Sequence, residues 1–295
     1  MRYAAFEQGG RARLGAVEGG EIIDLSPLTG AATSVRSIVE NADLHSRAVQ
    51  YARDPAALRL PLTSCRLLSP LPDPGKFICL GLNYADHAKE GGHNVPDYPA
   101  LFLRATTSLI GPQDPIVAPR CSERLDYEAE LVIVIGKRCR HVTEQAALDV
   151  VFGYTAFNDG SVRDYQRRTT QWTAGKNFDG TGALGPWIVT ADELPPGAAG
   201  LNICSRLNGN LMQSSNTDRM IFSVPRTIAI LSEIMTLEPG DLVATGTPEG
   251  VGHARTPPVW MRPGDEVSVE IEGIGILTNH VVAETGDTTV AAQHI

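Results

Sequence analysis

The sequence predicts an α+β fold dominated by strands, on three observations. Short segments of alternating or continuous apolar character recur along the chain between glycine- and proline-rich turns. Two Pro-Gly-Asp turns, Pro239-Gly240-Asp241 and Pro263-Gly264-Asp265, each launch such a segment, Leu242–Ala244 and Glu266–Ile271. Helical spacing is confined to a few stretches that do not alternate with the strands, so a regular βαβ architecture is not expected.

Residues 1–70 read as a small α/β module. Tyr3–Phe6, Arg13–Val17 and Glu21–Leu25 have strand character, with Glu18-Gly19-Gly20 as a turn. From Ser34 to about Ala52 the apolar residues Val35, Ile38, Val39, Leu44 and Ala48 repeat at helical spacing. Leu68 to Lys76 then packs three prolines and a glycine into nine residues, a linker signature. The remainder, 71–295, reads as one strand-rich domain. Helices are expected at Glu144–Val150 and Val224–Met235, the second opened by Ser223 as cap and Pro225 in the first turn.

A chain of 295 residues can bury a large core, and 42% hydrophobic with 20% charged residues is ordinary for a globular protein. The formal charge of −9 argues against nucleic acid or an anionic membrane as partner. Five scattered cysteines without a CxxC pair suggest neither a disulfide framework nor a zinc site. With no signal-peptide core and no run of membrane-span length, a cytoplasmic protein is expected.

The chemistry begins with three carboxylates. Glu128 and Glu130 in DYEAELVIVIG are one residue apart, so on a strand they share a face. An isolated Glu-x-Glu is ordinarily a solvated strand face. Here Val132 and Val134 continue that face while Leu131, Ile133 and Ile135 make the other apolar, so the strand is expected to be covered on both sides. Like charges held there need a proton or a cation between them. Asp159, after the strand-like Val151 to Phe157, can complete an all-oxygen site of the kind magnesium takes.

Other groups supply proton and charge handling. His87 and Glu90 in LNYADHAKEGG are three apart, on one face of a short helix, where the carboxylate can orient an imidazole base. Arg163 and Gln166 follow Asp159 closely, and Lys176 lies among glycines in AGKNFDG, a lysine that near a metal can neutralise an enolate. The turn Thr245-Gly246-Thr247-Pro248 offers N–H groups and hydroxyls to a carboxylate. Gly180-Thr181-Gly182-Ala183-Leu184-Gly185 matches a dinucleotide-binding pattern, but a polar segment precedes it and a strand follows, which excludes that reading.

Eight segments in order resemble the fumarylacetoacetate hydrolase family: KFICLGLNYADHAKE, FLRATTSLIGP, DYEAELVIVIGK, FGYTAFNDGSVRDYQ, QWTAGKNFDGTGALGPW, LNGNLMQSSNTDRMIFSVP, TLEPGDLVATGTPEGVG and GDEVSVEIEGIGILTN. The resemblance implies a mixed β-roll or sandwich core, usually a homodimer, preceded by the small module of many bacterial members. It implies Glu128, Glu130 and Asp159 as ligands of magnesium or manganese and His87 with Glu90 as a water-activating dyad. It also implies Lys176 as the active-site lysine, with Arg163, Gln166 and Thr247 contacting substrate. Gly160 and Val162 depart from the commoner NDVSARD, which predicts a looser turn beside the metal ligand, and Arg104 replaces a frequent lysine. The implied reaction is hydrolysis of the carbon–carbon bond of an acylpyruvate-like 2,4-dioxo acid of the kind formed in aromatic catabolism. Decarboxylation of a 2-oxo acid such as oxaloacetate, or isomerisation of an unsaturated 2-hydroxy dioate, is the alternative. A non-catalytic metal-binding scaffold is a third, weaker reading.

Overall fold

A computed structural model describes residues 1–92 and 94–285, so the last ten residues of the expected 71–295 domain lie outside the described residues. The first segment forms a meander of β1 (Arg2–Gln8), β2 (Arg11–Glu18), β3 (Glu21–Asp24) and β4 (Arg59–Pro61). Then come β5 (Phe77–Gly81), β6 (Ala100–Leu103), β7 (Ala129–Ile135), β8 (Val151–Asp159) and β9 (Gly182–Thr190). The hairpin β10 (Asn202–Leu207) and β11 (Asn210–Asn216) precedes β12 (Leu242–Ala244), β13 (Glu266–Ile271) and β14 (Gly275–Ala283).

One mixed sheet of twelve strands runs along the path β4-β3-β2-β1-β9-β8-β7-β12-β5-β6. Along that path only β12 and β5 pair in parallel. The N-terminal meander joins it where Arg2 and Tyr3 of β1 pair with Val189 and Ile188 of β9. A second sheet, β11-β10-β13-β14 with Ile116–Ala118 at its edge, packs on the first through β7, β8 and β9. The fold is thus the strand-dominated α+β architecture the sequence predicts.

β7 lies at the centre, and all seven of its residues are buried. Leu131, Ile133 and Ile135 enter one core with Ile228, Leu231, Val269 and Ile271. Val132 and Val134 enter a second, with Phe77, Phe157, Leu242 and the N-terminal residues Leu14, Ile38 and Ala48. The two-sided apolar pattern of this strand therefore means a layer on each side, one of them built from the first 70 residues. Both Pro-Gly-Asp turns launch strands where expected, with Gly240 and Gly264 at φ 84° and 96°.

The helices deviate in two places. The single helical stretch from Ser34 splits into α1 (Arg36–Val39) and α2 (Ala42–Ala52), because Asn41 leaves helical φ/ψ and caps α2 by accepting from Leu44 N (3.0 Å). Glu144–Val150 winds as 3₁₀ turns, with Ala146 N donating to Thr143 O, instead of an α-helix. Besides a single turn at Ser26–Thr29, the further helices are α3 (Ala85–Glu90), α4 (Arg163–Gln166), α5 (Thr173–Lys176) and α6 (Val224–Ile234), the last capped by Ser223 as expected. Among the described residues no helix is long and apolar enough to cross a membrane.

Because β7 supports both cores, truncation of Ile133 to Ala is expected to cost about 2–5 kcal/mol of stability. Urea unfolding monitored by circular dichroism should show a lower midpoint at unchanged slope; a shift below about 1 kcal/mol would remove β7 as the structural centre.

Candidate active site

Strand pairing assembles the carboxylates. β7 and β8 run antiparallel with Ala129 opposite Asn158 and Glu130 opposite Phe157. Glu128 therefore lies against the end of β8, where its carbonyl accepts from Asp159 N (2.9 Å) and its N–H donates to Asn158 Oδ1 (3.0 Å). Oxygens of Glu128, Glu130 and Asp159 come within 4.8 Å of one another, and all three residues are buried.

The surrounding cations are as informative as the anions. Lys176 Nζ lies 2.7 Å from Glu128 Oε2 and 2.5 Å from Asp159 Oδ2. Arg163 Nη2 is 2.7 Å from Glu128 Oε1, while its Nε donates to Asp126 Oδ2 (2.8 Å). Arg104 donates to the other oxygen of Asp159, to Gly160 O (3.2 Å) and to Thr181 Oγ1 (2.9 Å). Four buried carboxylates (Asp126, Glu128, Glu130, Asp159) thus face three buried cations (Arg104, Arg163, Lys176). Glu130 is the one left over: among the described residues its carboxylate accepts a single hydrogen bond, from Gly246 N (2.9 Å).

The proton affinities follow this imbalance. Burial opposes ionisation of Glu128, but Lys176 and Arg163 outweigh it and hold the carboxyl well below the usual range. Burial, then the charges of Asp159 and Glu128, push Glu130 well above it. Burial alone would lower Lys176, yet Asp159 and Glu128 raise it, so it stays a cation. A hard divalent cation fits this donor set, because it would supply the charge that Glu130 lacks next to two oxygen donors already gathered.

The remaining groups surround one cavity of about 430 Å³, lined by His87, Glu128, Glu130, Arg163, Gln166, Lys176 and Thr247 together with Leu80, Phe102 and Trp172. Glu90 and Asp159 stand behind these residues. His87 and Glu90 share a face of α3, with Nδ1 to Oε2 at 3.5 Å. Glu90 is held from the other side by Gly250 N (3.1 Å). Arg163 Nη1 donates to Gln166 Oε1 (2.9 Å) within α4. α5 lies so close to α4 that a Cβ on Gly175 would meet Gln166 N at 2.4 Å; this approach brings Lys176 to the carboxylates.

Gly160 does not loosen its turn: a Cβ there would meet Thr181 O at 2.1 Å, so the missing side chain permits close packing against β9. The N–H groups of the turn after β12 hold protein carboxylates: Gly246 serves Glu130 and Gly250 serves Glu90. Asp126 escaped notice although it sits two residues before Glu128. It is fully buried and collects Arg163, Gly252 N (2.8 Å), His253 N (3.0 Å) and His253 Nδ1 (3.2 Å). His253 and Trp172, which also line the cavity, carried no signal in the sequence.

The chain belongs to the fumarylacetoacetate hydrolase family: residues 76–282 match the model of its C-terminal domain, a domain of enzymes. It is 41% identical over 268 residues to the mitochondrial oxaloacetate tautomerase Fahd2a of Rattus norvegicus, covering 90% of this chain and 85% of that protein. A fumarylacetoacetate hydrolase from psychrophilic Exiguobacterium antarcticum is 40% identical and superposes with a TM-score of 0.82, covering 96% of this chain and 100% of that one. Maleylpyruvate hydrolase from Sphingobium sp. SYK-6, solved with manganese(II) and pyruvate, is 36% identical at a TM-score of 0.81, covering 97% and 100%.

The excess charge on Glu130 has a measurable consequence. The folded protein holds this proton more tightly than the unfolded chain does, so without metal its contribution to stability is full below the ordinary glutamate range. That contribution is lost as pH rises through the elevated value. Glu130→Gln should flatten the fall in metal-free melting temperature with rising pH and raise the melting temperature at neutral pH. It should also abolish the stabilisation that added manganese gives the wild type. Scanning calorimetry across pH checks this; a variant less stable than wild type without metal at neutral pH would contradict it.

Proposed function

We propose that this protein is a magnesium- or manganese-dependent hydrolase of acylpyruvate-like 2,4-dioxo acids. The observation that carries the proposal is an imidazole, His87 held by Glu90, lining the same cavity as Glu128 and Glu130 of the three-carboxylate cluster. Glu128, Glu130 and Asp159 would hold either ion, which would supply Lewis-acid stabilisation at the oxo-acid end of the substrate. His87 takes a proton from water, and Glu90 stabilises the imidazolium that results. The hydroxide adds to the distal carbonyl. The bond between that carbon and C3 breaks, its electron pair passes to C3, and C3 takes up a proton, so the products are a carboxylic acid and pyruvate. Lys176, kept cationic by its neighbours, faces the charge that develops at the 2-oxo end.

The cavity supports a substrate longer than a four-carbon acid. Arg163, Arg167 and His253 line it and also an adjoining chamber of about 510 Å³ that includes Arg124 and Trp260. With Arg163 engaged by Asp126 and Glu128, Arg124 and Arg167 outnumber the one lining carboxylate, Asp164, which suits the second carboxylate of a fumarylpyruvate-type dianion. A second reading, keto–enol tautomerisation of an oxaloacetate-type acid, is favoured by the likeness to the rat tautomerase. It uses the same oxo-acid end but needs no attacking water.

An assay panel separates the two. With manganese, the protein should release pyruvate from acylpyruvates, and His87→Ala should lower kcat by about 10²–10⁴-fold while metal uptake is kept. Acceleration of oxaloacetate ketonisation with no pyruvate released from any acylpyruvate would sink the hydrolase reading.

A further inference from the structure

We infer that Gln213 is a positioning residue that fixes the Thr247 hydroxyl as a hydrogen-bond donor into the cavity. This rests on the proposed binding of a 2-oxo acid there. Gln213 lies on β11, in the second sheet, and is 1% exposed. Its amide orientation is determined by unambiguous partners. Ala129 N, which can only donate, points to Oε1 (2.9 Å), and Pro248 O, which can only accept, faces Nε2 (2.8 Å). Ser205 Oγ donates to the same Oε1 (2.8 Å). All four hydrogen-bonding positions of the amide are then used, and the last is Nε2 donating to Thr247 Oγ1 (2.8 Å).

This direction decides what Thr247 can offer. Its oxygen is already an acceptor, and among the described residues its own proton has no protein acceptor. Thr247 lines the cavity, so that proton is available to an anionic or carbonyl oxygen of a bound ligand. A freely rotating hydroxyl has no fixed donor direction; an amide donor that occupies one of the two lone pairs of the oxygen keeps the proton turned away from Gln213 and available to a ligand oxygen. Gln213 does this while tied to Ala129, the residue between Glu128 and Glu130. The donor and the carboxylate cluster are thereby set at a fixed separation across two sheets.

The test measures pyruvate affinity of the manganese-loaded protein by calorimetry, so it does not depend on which reaction follows. Thr247→Val removes the hydroxyl, Gln213→Glu replaces the donor by an acceptor, and Gln213→Met removes it without adding charge. Each should weaken pyruvate binding roughly tenfold or more, and Thr247→Ser should keep it within about threefold of wild type. Combining either Gln213 variant with Thr247→Val should weaken binding no further than Thr247→Val alone, because both act through one hydroxyl. A merely structural role for Gln213 would lower the melting temperature and add its effect in the double variant. Unchanged affinity in both Gln213 variants, or additivity in the doubles, overturns the inference. So does unchanged affinity in Thr247→Val. Pyruvate binding that behaves as expected beside an absence of acylpyruvate hydrolysis would count against the hydrolase reading alone.

Discussion

The structure depends on one electrostatic constraint: four carboxylates are buried beside three cations. Asp126, Glu128 and Asp159 each have a basic partner within ion-pair distance, and among the described residues Glu130 has none. Burying an unpaired carboxylate costs several kcal/mol, which a proton or a cation must offset. Nothing in the packing of β7 requires a glutamate at that point. Its neighbours on the strand are apolar on both faces, so the residue is a cost to the fold that only a bound charge relieves.

The turn from Gly246 to His253 organises the rest. It follows β12, which pairs directly with β7, and its backbone N–H groups reach three carboxylates in succession: Gly246 to Glu130, Gly250 to Glu90, Gly252 and His253 to Asp126. Glu90 contacts His87 and Asp126 contacts Arg163, so one stretch of backbone sets Glu130, His87 and Arg163 together, the groups to which the proposed reaction gives the metal, the proton transfer and the substrate. Backbone donors held this way need no reorganisation when charge develops in the cavity.

Much of this was legible in the sequence because it is local. The two-sided apolar pattern of Leu131 to Ile135 announced a covered strand, the spacing of Glu128 and Glu130 put them on one face, and His87 with Glu90 read as a helical pair. Cross-chain partners were not legible. Asp126 drew no reading of its own, since Arg163 and His253 reach it from 37 and 127 residues away. Arg104 read as a substituted lysine, although its guanidinium reaches Asp159, Gly160 and Thr181 at once, which an ammonium on a lysine stem would not match. Gly160 was misread because its role is the space it leaves for the carbonyl of Thr181, which no local pattern encodes. The 3₁₀ winding of Glu144–Val150 escaped for a different reason: in seven residues propensity is too weak to select between helix types.

A single divalent cation is expected to complete the charge balance at Glu128, Glu130 and Asp159. Paramagnetic resonance of free manganese during titration into metal-free protein tests it most directly. The free-ion signal should be lost up to one equivalent per chain, and fully retained when Glu130 and Asp159 are both replaced by their amides. Unaltered signal with the wild type, or equal uptake by the doubly substituted protein, would contradict it.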